Sequence, residues 1–254
     1  MANNWTREQT IVALYVYCML PFGQISGSNK LIQKLAPLIG RTPNALNMKA
    51  GNIGRLDPEL QKRGVGGLKH GAKLDEEIWN EFRSDPQRLA KEVTRILNHF
   101  QEEGHDILPD NETIILPEGT TREAFVKQRV NQAFFRRSVV SAYGYSCCIS
   151  GVKEPTLVEA CHIVDWAKDK ENRTNPRNGL AMNPFFHKAY DNNLIGITPD
   201  LEIKVSEELL SSISREDFKE YLENLRNTKI QTPNRFSPLP ELLEKHYDKY
   251  LQRV

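Results

Sequence analysis

Three residues of this chain are of the right types, and close enough in sequence, to do chemistry together. His162 lies in "VEACHIVDW", Asn178 opens "NGLAMN", and His187 lies in "NPFFHKAYDNN". A neutral imidazole can take a proton from water near pH 7. A second imidazole with nearby carboxylates can hold a divalent cation, and such a cation stabilises charge on a scissile phosphate and on the leaving 3′ oxygen. A carboxamide can brace a loop or lend its oxygen. Metal-assisted hydrolysis of a phosphodiester is the reaction such a set would perform. Glu159, Asp165 and Asp191 are the neighbouring carboxylates able to complete it.

The elements around these residues have readable signatures. "TLVEACHIV" is apolar and β-branched enough for a strand, and the polar run "DWAKDKENRTNPR" separates it from a second strand at "NGLAMN". "NPFFHKAYDNN" reads as a helix with Asn183 as N-cap and Pro184 in its first position. "LIGITPD" and "LEIKVS" form a hairpin about Pro199 and Asp200. A hairpin crossed by a helix can bring His162, Asn178 and His187 to one point.

These stretches carry a family resemblance. "CCISGVKEPTLVEACHIVDW" followed by "NPRNGLAMNPFFHKAYDNNLIGI" resembles the HNH nucleases of ββα-metal fold, in particular a branch found in bacterial restriction-type endonucleases. Its blocks run C-x-[IL]-[TS]-G, A-H-I, N-G-L and H-x-x-[FY]-D, and the second stands here as C-H-I. The resemblance extends over about residues 121–200. It implies His162 as general base and His187 as metal ligand. Asn178 would either hold the loop that orients His162 or reach the metal through its amide oxygen. Asp191 and Glu159 would complete or support the ligand set. Many relatives keep a ligand at the position of Cys161, a small residue expected to be buried. Mg²⁺ is the working ion implied, with Mn²⁺ or Ni²⁺ as substitutes.

The remainder of the chain bounds this reading. With 254 residues, 26% charged, 39% apolar and a net charge of +1, it has the balance of a soluble globular protein whose positive charge must be local if it binds nucleic acid. "MANNWTREQT" has the features of no signal peptide, and "IVALYVYCMLPF" is too short to span a bilayer. The four cysteines form no C-x-x-C pair. A cytoplasmic protein with reduced thiols and no membrane partner is expected.

Residues 1–103 read as a helical, helix-turn-helix-like module. Thr6 and Gln9 form a capping box, a second helix is capped near Ser28 and ended by Gly40, and Thr42 with Pro43 opens a third. That third helix, preceded by Arg41 and carrying Lys49, would face DNA. A glycine-rich basic loop, "KRGVGGLKHGAK", and one helix over residues 75–103 follow. Residues 104–120 read as a linker, and 121–254 as the nuclease domain with a C-terminal helical extension. Five basic residues, Arg122, Lys127, Arg129, Arg136 and Arg137, face one acid, Glu123, between 121 and 137. Arg129, Arg136, Arg137, Arg177 and Lys188 are the nuclease-side candidates for DNA phosphates. His70, His99, His105 and His246 have no partners in sequence and read as surface residues. One helix over "SEELLSSISREDFKEYLENLRN" and a last one after the prolines at 233, 238 and 240 close the chain.

The expected fold class is α+β: a helical N-terminal module, then a ββα-metal HNH nuclease domain with C-terminal helices. The expected activity is endonucleolytic cleavage of double-stranded DNA, in restriction or phage defence. One such site cuts one strand, so a double-strand break calls for a homodimer or two nicks. A DNA-binding protein with an inactive site and an RNA-directed nuclease are the rival readings.

Overall fold

In the computed structural model, residues 4–62, 64, 71–102, 122–165, 167–169 and 171–254 are described. The expected linker at 104–120, most of the glycine-rich loop, His70 and His105 lie outside them. Two compact units divide the chain at residues 141 and 142.

The first unit is helical: α1 (Arg7–Met19), α2 (Lys30–Leu38), α3 (Pro43–Ile53), α4 (Pro58–Lys62), α5 (Lys73–Phe82), α6 (Pro86–Glu102) and most of α7 (Arg122–Ala142). The capping box at α1 is formed, with Gln9 N–H donating to the Thr6 hydroxyl at 3.2 Å and Thr6 N–H to Gln9 Oε1 at 3.1 Å. Every residue from Thr10 to Met19 is buried, so α1 is apolar on all sides and is enclosed by its neighbours. Tyr15 stacks on Phe134 of α7 at 5.4 Å.

The cap of α2, expected near Ser28, is Asn29, which accepts from Leu31 N–H at 3.0 Å, while Ser28 pairs its hydroxyl with that of Ser26. One local expectation is corrected here. The helix expected over 75–103 is two helices, because Asp85 accepts Arg88 N–H at 2.9 Å and Pro86 opens a new N-terminus.

The second unit holds the strands. β1 (Glu159–His162) and β2 (Gly179–Met182) pair antiparallel, with Cys161 opposite Leu180 and His162 opposite Gly179. The helix α8 (Pro184–Asp191) follows directly, and then the hairpin of β3 (Ile195–Ile197) and β4 (Ile203–Val205). The fold class is α+β, as the sequence predicts. A turn at Cys147–Gly151 grips the edge of β2, with Cys148 N–H donating to Ala181 O at 2.7 Å. All four cysteines are buried and none is in a disulfide.

Asn183 caps α8 by accepting Phe186 N–H at 3.0 Å, and Asn193 ends it in the left-handed region at φ 54°. Leu194 N–H reaches Ala189 O and Asn193 N–H reaches Tyr190 O, both at 2.9 Å, closing a Schellman motif. The helix expected over 206–227 is split into α9 (Glu207–Ser211) and α10 (Glu216–Leu225). Ser212 turns its hydroxyl back onto Leu209 O at 2.7 Å, the local competition by which serine ends helices.

The last helix, α11 (Pro240–Arg253), packs on β3 over Gly196. A Cβ at Gly196 would lie 2.8 Å from the Tyr250 ring and 3.0 Å from that of Tyr247, so glycine is what permits this approach. Among the described residues no helix is long and apolar enough to cross a membrane.

Candidate metal centre and active site

Two periodicities intersect at the centre. Along β1 alternate side chains share a face, which puts Glu159 and Cys161 together. Along α8 residues four apart share a face, which puts His187 above Asp191. Because α8 packs on β1, the two faces meet. His187 Nδ1 donates to Glu159 Oε2 at 2.8 Å, which turns Nε2 towards Asp191 Oδ2 at 3.5 Å. Cys161 Sγ lies 3.8 Å from Asp191 Oδ1. One ligand atom each from Cys161, His187 and Asp191 fall within 4.8 Å of one another.

This cluster differs from the expected ligand set in two respects. It includes Cys161 beside the expected His187 and Asp191, and it holds neither Asn178 nor Glu159. Glu159 touches the centre through His187, as the orienting partner of an imidazole ligand. Burial and the Asp191 carboxylate push the Cys161 thiol well above its ordinary value, so without a cation the sulfur carries its proton.

His162 ends β1 and enters the same cleft as His187. Its Nε2 is 3.0 Å from Arg173 O, and a carbonyl only accepts, so Nε2 carries the proton and Nδ1 is the basic nitrogen of the neutral ring. Burial lowers its pKa, outweighing the opposing pull of the Arg173 carbonyl and Asp165, so the ring is neutral at pH 7.

Asn178 is completely buried. Its Oδ1 accepts Val164 N–H at 2.9 Å, and its Nδ2 donates to Val164 O at 3.0 Å and Asn172 O at 3.3 Å. The amide oxygen considered for a metal is thereby committed to backbone. The geometry is that of a clamp between the segment leaving His162 and the loop that returns to β2.

The cleft, of about 360 Å³, is lined by His162, His187 and Asp191 together with Asp165, Lys168, His246 and Lys249. The last two come from α11. His246, expected at the surface, is buried: its ring stacks on Tyr190 at 3.6 Å and Nε2 donates to Tyr190 O at 3.0 Å. Desolvation and the nearby Lys168 hold the Lys249 ammonium below the ordinary lysine value, against the pull of Asp165. Nothing near the motif marks His246 or Lys249. Their only signal is a three-residue spacing on a helix some sixty residues downstream.

Of the expected DNA contacts, Lys188 is exposed on α8, and Arg136 and Arg137 are exposed on α7. Arg177 is half-buried, donating through Nε to Ser237 O at 3.1 Å. The side chain of Arg129 lies outside the described residues.

In the first unit Lys49 is corrected: it is buried in an ion pair with Asp75, because its stem packs on the inward face of α3. Arg41 donates to Gln9 Oε1 at 2.8 Å and to Asn4 O at 2.7 Å, and lies over the Trp5 ring at 4.7 Å. Both side chains hold α3 and its approach in place.

Residues 147–198, about a fifth of the chain, match the HNH endonuclease family. The match spans β1, β2, α8 and β3, hence His162, Asn178, His187 and Asp191, and stops before α11. No curated protein matches the chain.

Proposed function

We propose, taking the match of residues 147–198 to the HNH endonucleases as premise, that this protein is a metal-dependent endonuclease of double-stranded DNA. The observation that carries the reading is that the His162 ring shares one cleft with His187 and Asp191, which cluster with the buried Cys161. Cys161, His187 and Asp191 would hold one divalent ion, and that ion would supply charge stabilisation at the scissile phosphate and the leaving 3′ oxygen.

The remaining work falls to the chain's own groups. His162 Nδ1 takes the proton of the attacking water, and the Arg173 carbonyl on Nε2 keeps the ring in the tautomer this requires. Asn178 keeps that ring in place through Val164. Lys168 and Lys249 bind phosphate oxygens at the cleft wall. Lys188 on α8 and, in the first unit, Arg136 and Arg137 on α7 are exposed cations suited to backbone phosphates.

A part in restriction or phage defence rests on the restriction-type pattern of the four sequence blocks. Cleavage of both strands proceeds through a homodimer or through successive nicks. Supercoiled plasmid incubated with divalent metal is nicked, and EDTA abolishes the nicking. His162→Ala lowers the rate by about 10²–10⁴-fold while DNA retention in a gel is unchanged. Full activity of that variant overturns the assignment, and preferential cleavage of an RNA duplex in parallel reactions overturns the choice of substrate.

A further inference from the structure

The donor set of the candidate centre points to a narrower class of ion than its position does. Resting on the reading above that the cluster holds a divalent cation, we propose that this is a thiolate centre. Cys161 binds through sulfur, and the centre selects a thiophilic ion of the Zn²⁺ and Co²⁺ class over Mg²⁺.

Three observations carry this. The first is the separations. Zinc bonds of about 2.3 Å to sulfur and 2.0 Å to nitrogen or oxygen, at tetrahedral angles, place S and O about 3.5 Å apart and N and O about 3.3 Å apart. Here Asp191 meets the other two donors through its two different oxygens, Oδ1 at 3.8 Å from Cys161 Sγ and Oδ2 at 3.5 Å from His187 Nε2. One atom of each residue lies within 4.8 Å of the others, so a single oxygen serves the site once the carboxylate turns. Octahedral Mg²⁺, with bonds of about 2.1 Å, sets adjacent donors only about 3.0 Å apart.

The second is composition. Mg²⁺ is held by oxygen, and the cluster offers one carboxylate beside an imidazole and a sulfur. The carboxylate of Glu159 already accepts from His187 Nδ1 at 2.8 Å.

The third is that same Glu159–His187 pair. A carboxylate behind a histidine ligand fixes its tautomer and raises its basicity, an arrangement recurrent at zinc. Three protein ligands leave one tetrahedral position for solvent or substrate, the pattern of catalytic rather than structural sites. Binding breaks the S–H bond, forms the metal–sulfur bond and releases one proton to solvent.

Co²⁺ is the probe for a test. The full-length protein, stripped with chelator, is titrated with Co²⁺ and followed by absorption. A thiolate-to-cobalt charge-transfer band and intense visible bands of tetrahedral cobalt appear and saturate at one equivalent. One equivalent of Zn²⁺ removes them, and a hundredfold excess of Mg²⁺ does not. Cys161→Ser loses the charge-transfer band and binds Co²⁺ at least tenfold more weakly, whereas Asp191→Asn weakens binding but keeps the band.

Cobalt bound without charge transfer, a band that survives in Cys161→Ser, or displacement by Mg²⁺ at equal concentration each overturns the proposal. The Mg²⁺ competition on the unaltered protein needs no variant to fold. Plasmid nicking reads the separate question. A protein with the cobalt band that cuts no nucleic acid overturns the nuclease reading and keeps the thiolate centre. One that nicks in Mg²⁺ and shows no band does the reverse.

Discussion

Glu159 and His187 are joined by a 2.8 Å hydrogen bond from strand to helix, and that bond decides which imidazole nitrogen faces Asp191. With the proton held on Nδ1 by a carboxylate, Nε2 presents its lone pair to the cluster. Glu159→Ala leaves the ring to choose its tautomer and orientation. We expect about 10–100-fold weaker metal binding by calorimetric titration, with little change in thermal midpoint. Unchanged affinity would sink the orienting role of Glu159.

Asn178 is a clamp whose loss is felt in stability before it is felt in chemistry. Asn178→Ala leaves the Val164 N–H and C=O without this partner, and each buried group so orphaned costs about 1–3 kcal/mol. Urea unfolding is expected to show a loss of about 3 kcal/mol or more. Asn178→Asp keeps the acceptor but not the donor and recovers part of it. A variant as stable as the parent contradicts the clamp.

The approach of α11 to β3 depends on Gly196. In Gly196→Ala the new methyl meets the rings of Tyr247 and Tyr250, so the helix must shift, at a cost of about 1–3 kcal/mol. Because α11 carries Lys249 into the cleft, the same substitution weakens DNA binding. Lys249→Ala weakens it with no loss of stability, and the slope of log affinity against log salt falls by about one. A salt slope identical to that of the parent would rule out phosphate contact by Lys249.

His246 makes stability pH-dependent. Burial against Tyr190 pushes its pKa down to about 4, with Lys249 adding to the effect and the Tyr190 carbonyl opposing it. The folded state therefore holds the ring neutral, while the unfolded chain takes up a proton below pH 6.5. Stability is full above pH 6.5 and falls as the pH drops towards 4, by up to about 3 kcal/mol over that window. His246→Phe keeps the stacking but cannot titrate. Its unfolding free energy, measured in urea at pH 7, 5.5 and 4.5, declines less steeply than that of the parent. Parallel pH profiles would show that His246 contributes nothing.

The sequence by itself determined the elements whose signals are local. The capping box at Thr6, the Asn183–Pro184 start of α8, the two hairpin strands and a last helix near the end of the sequence all stand where residue types and periodicity place them. So does the gathering of His162 and His187, because both lie on elements joined by short connections. Local signals failed where a side chain chose between two backbone partners, as at Asp85 and Ser212.

Tertiary structure alone decided the identity of the centre. Glu159 and Cys161 are two apart on a strand, and His187 and Asp191 four apart on a helix, so either pair was legible. That α8 lies across the face bearing Cys161 was not, since that depends on how helix and hairpin pack. The same holds for α11, whose His246 and Lys249 reach the cleft only because Gly196 lets the helix close on β3. Spacing records contacts within an element. Contacts between elements are set by packing, and here packing placed a sulfur beside the histidine.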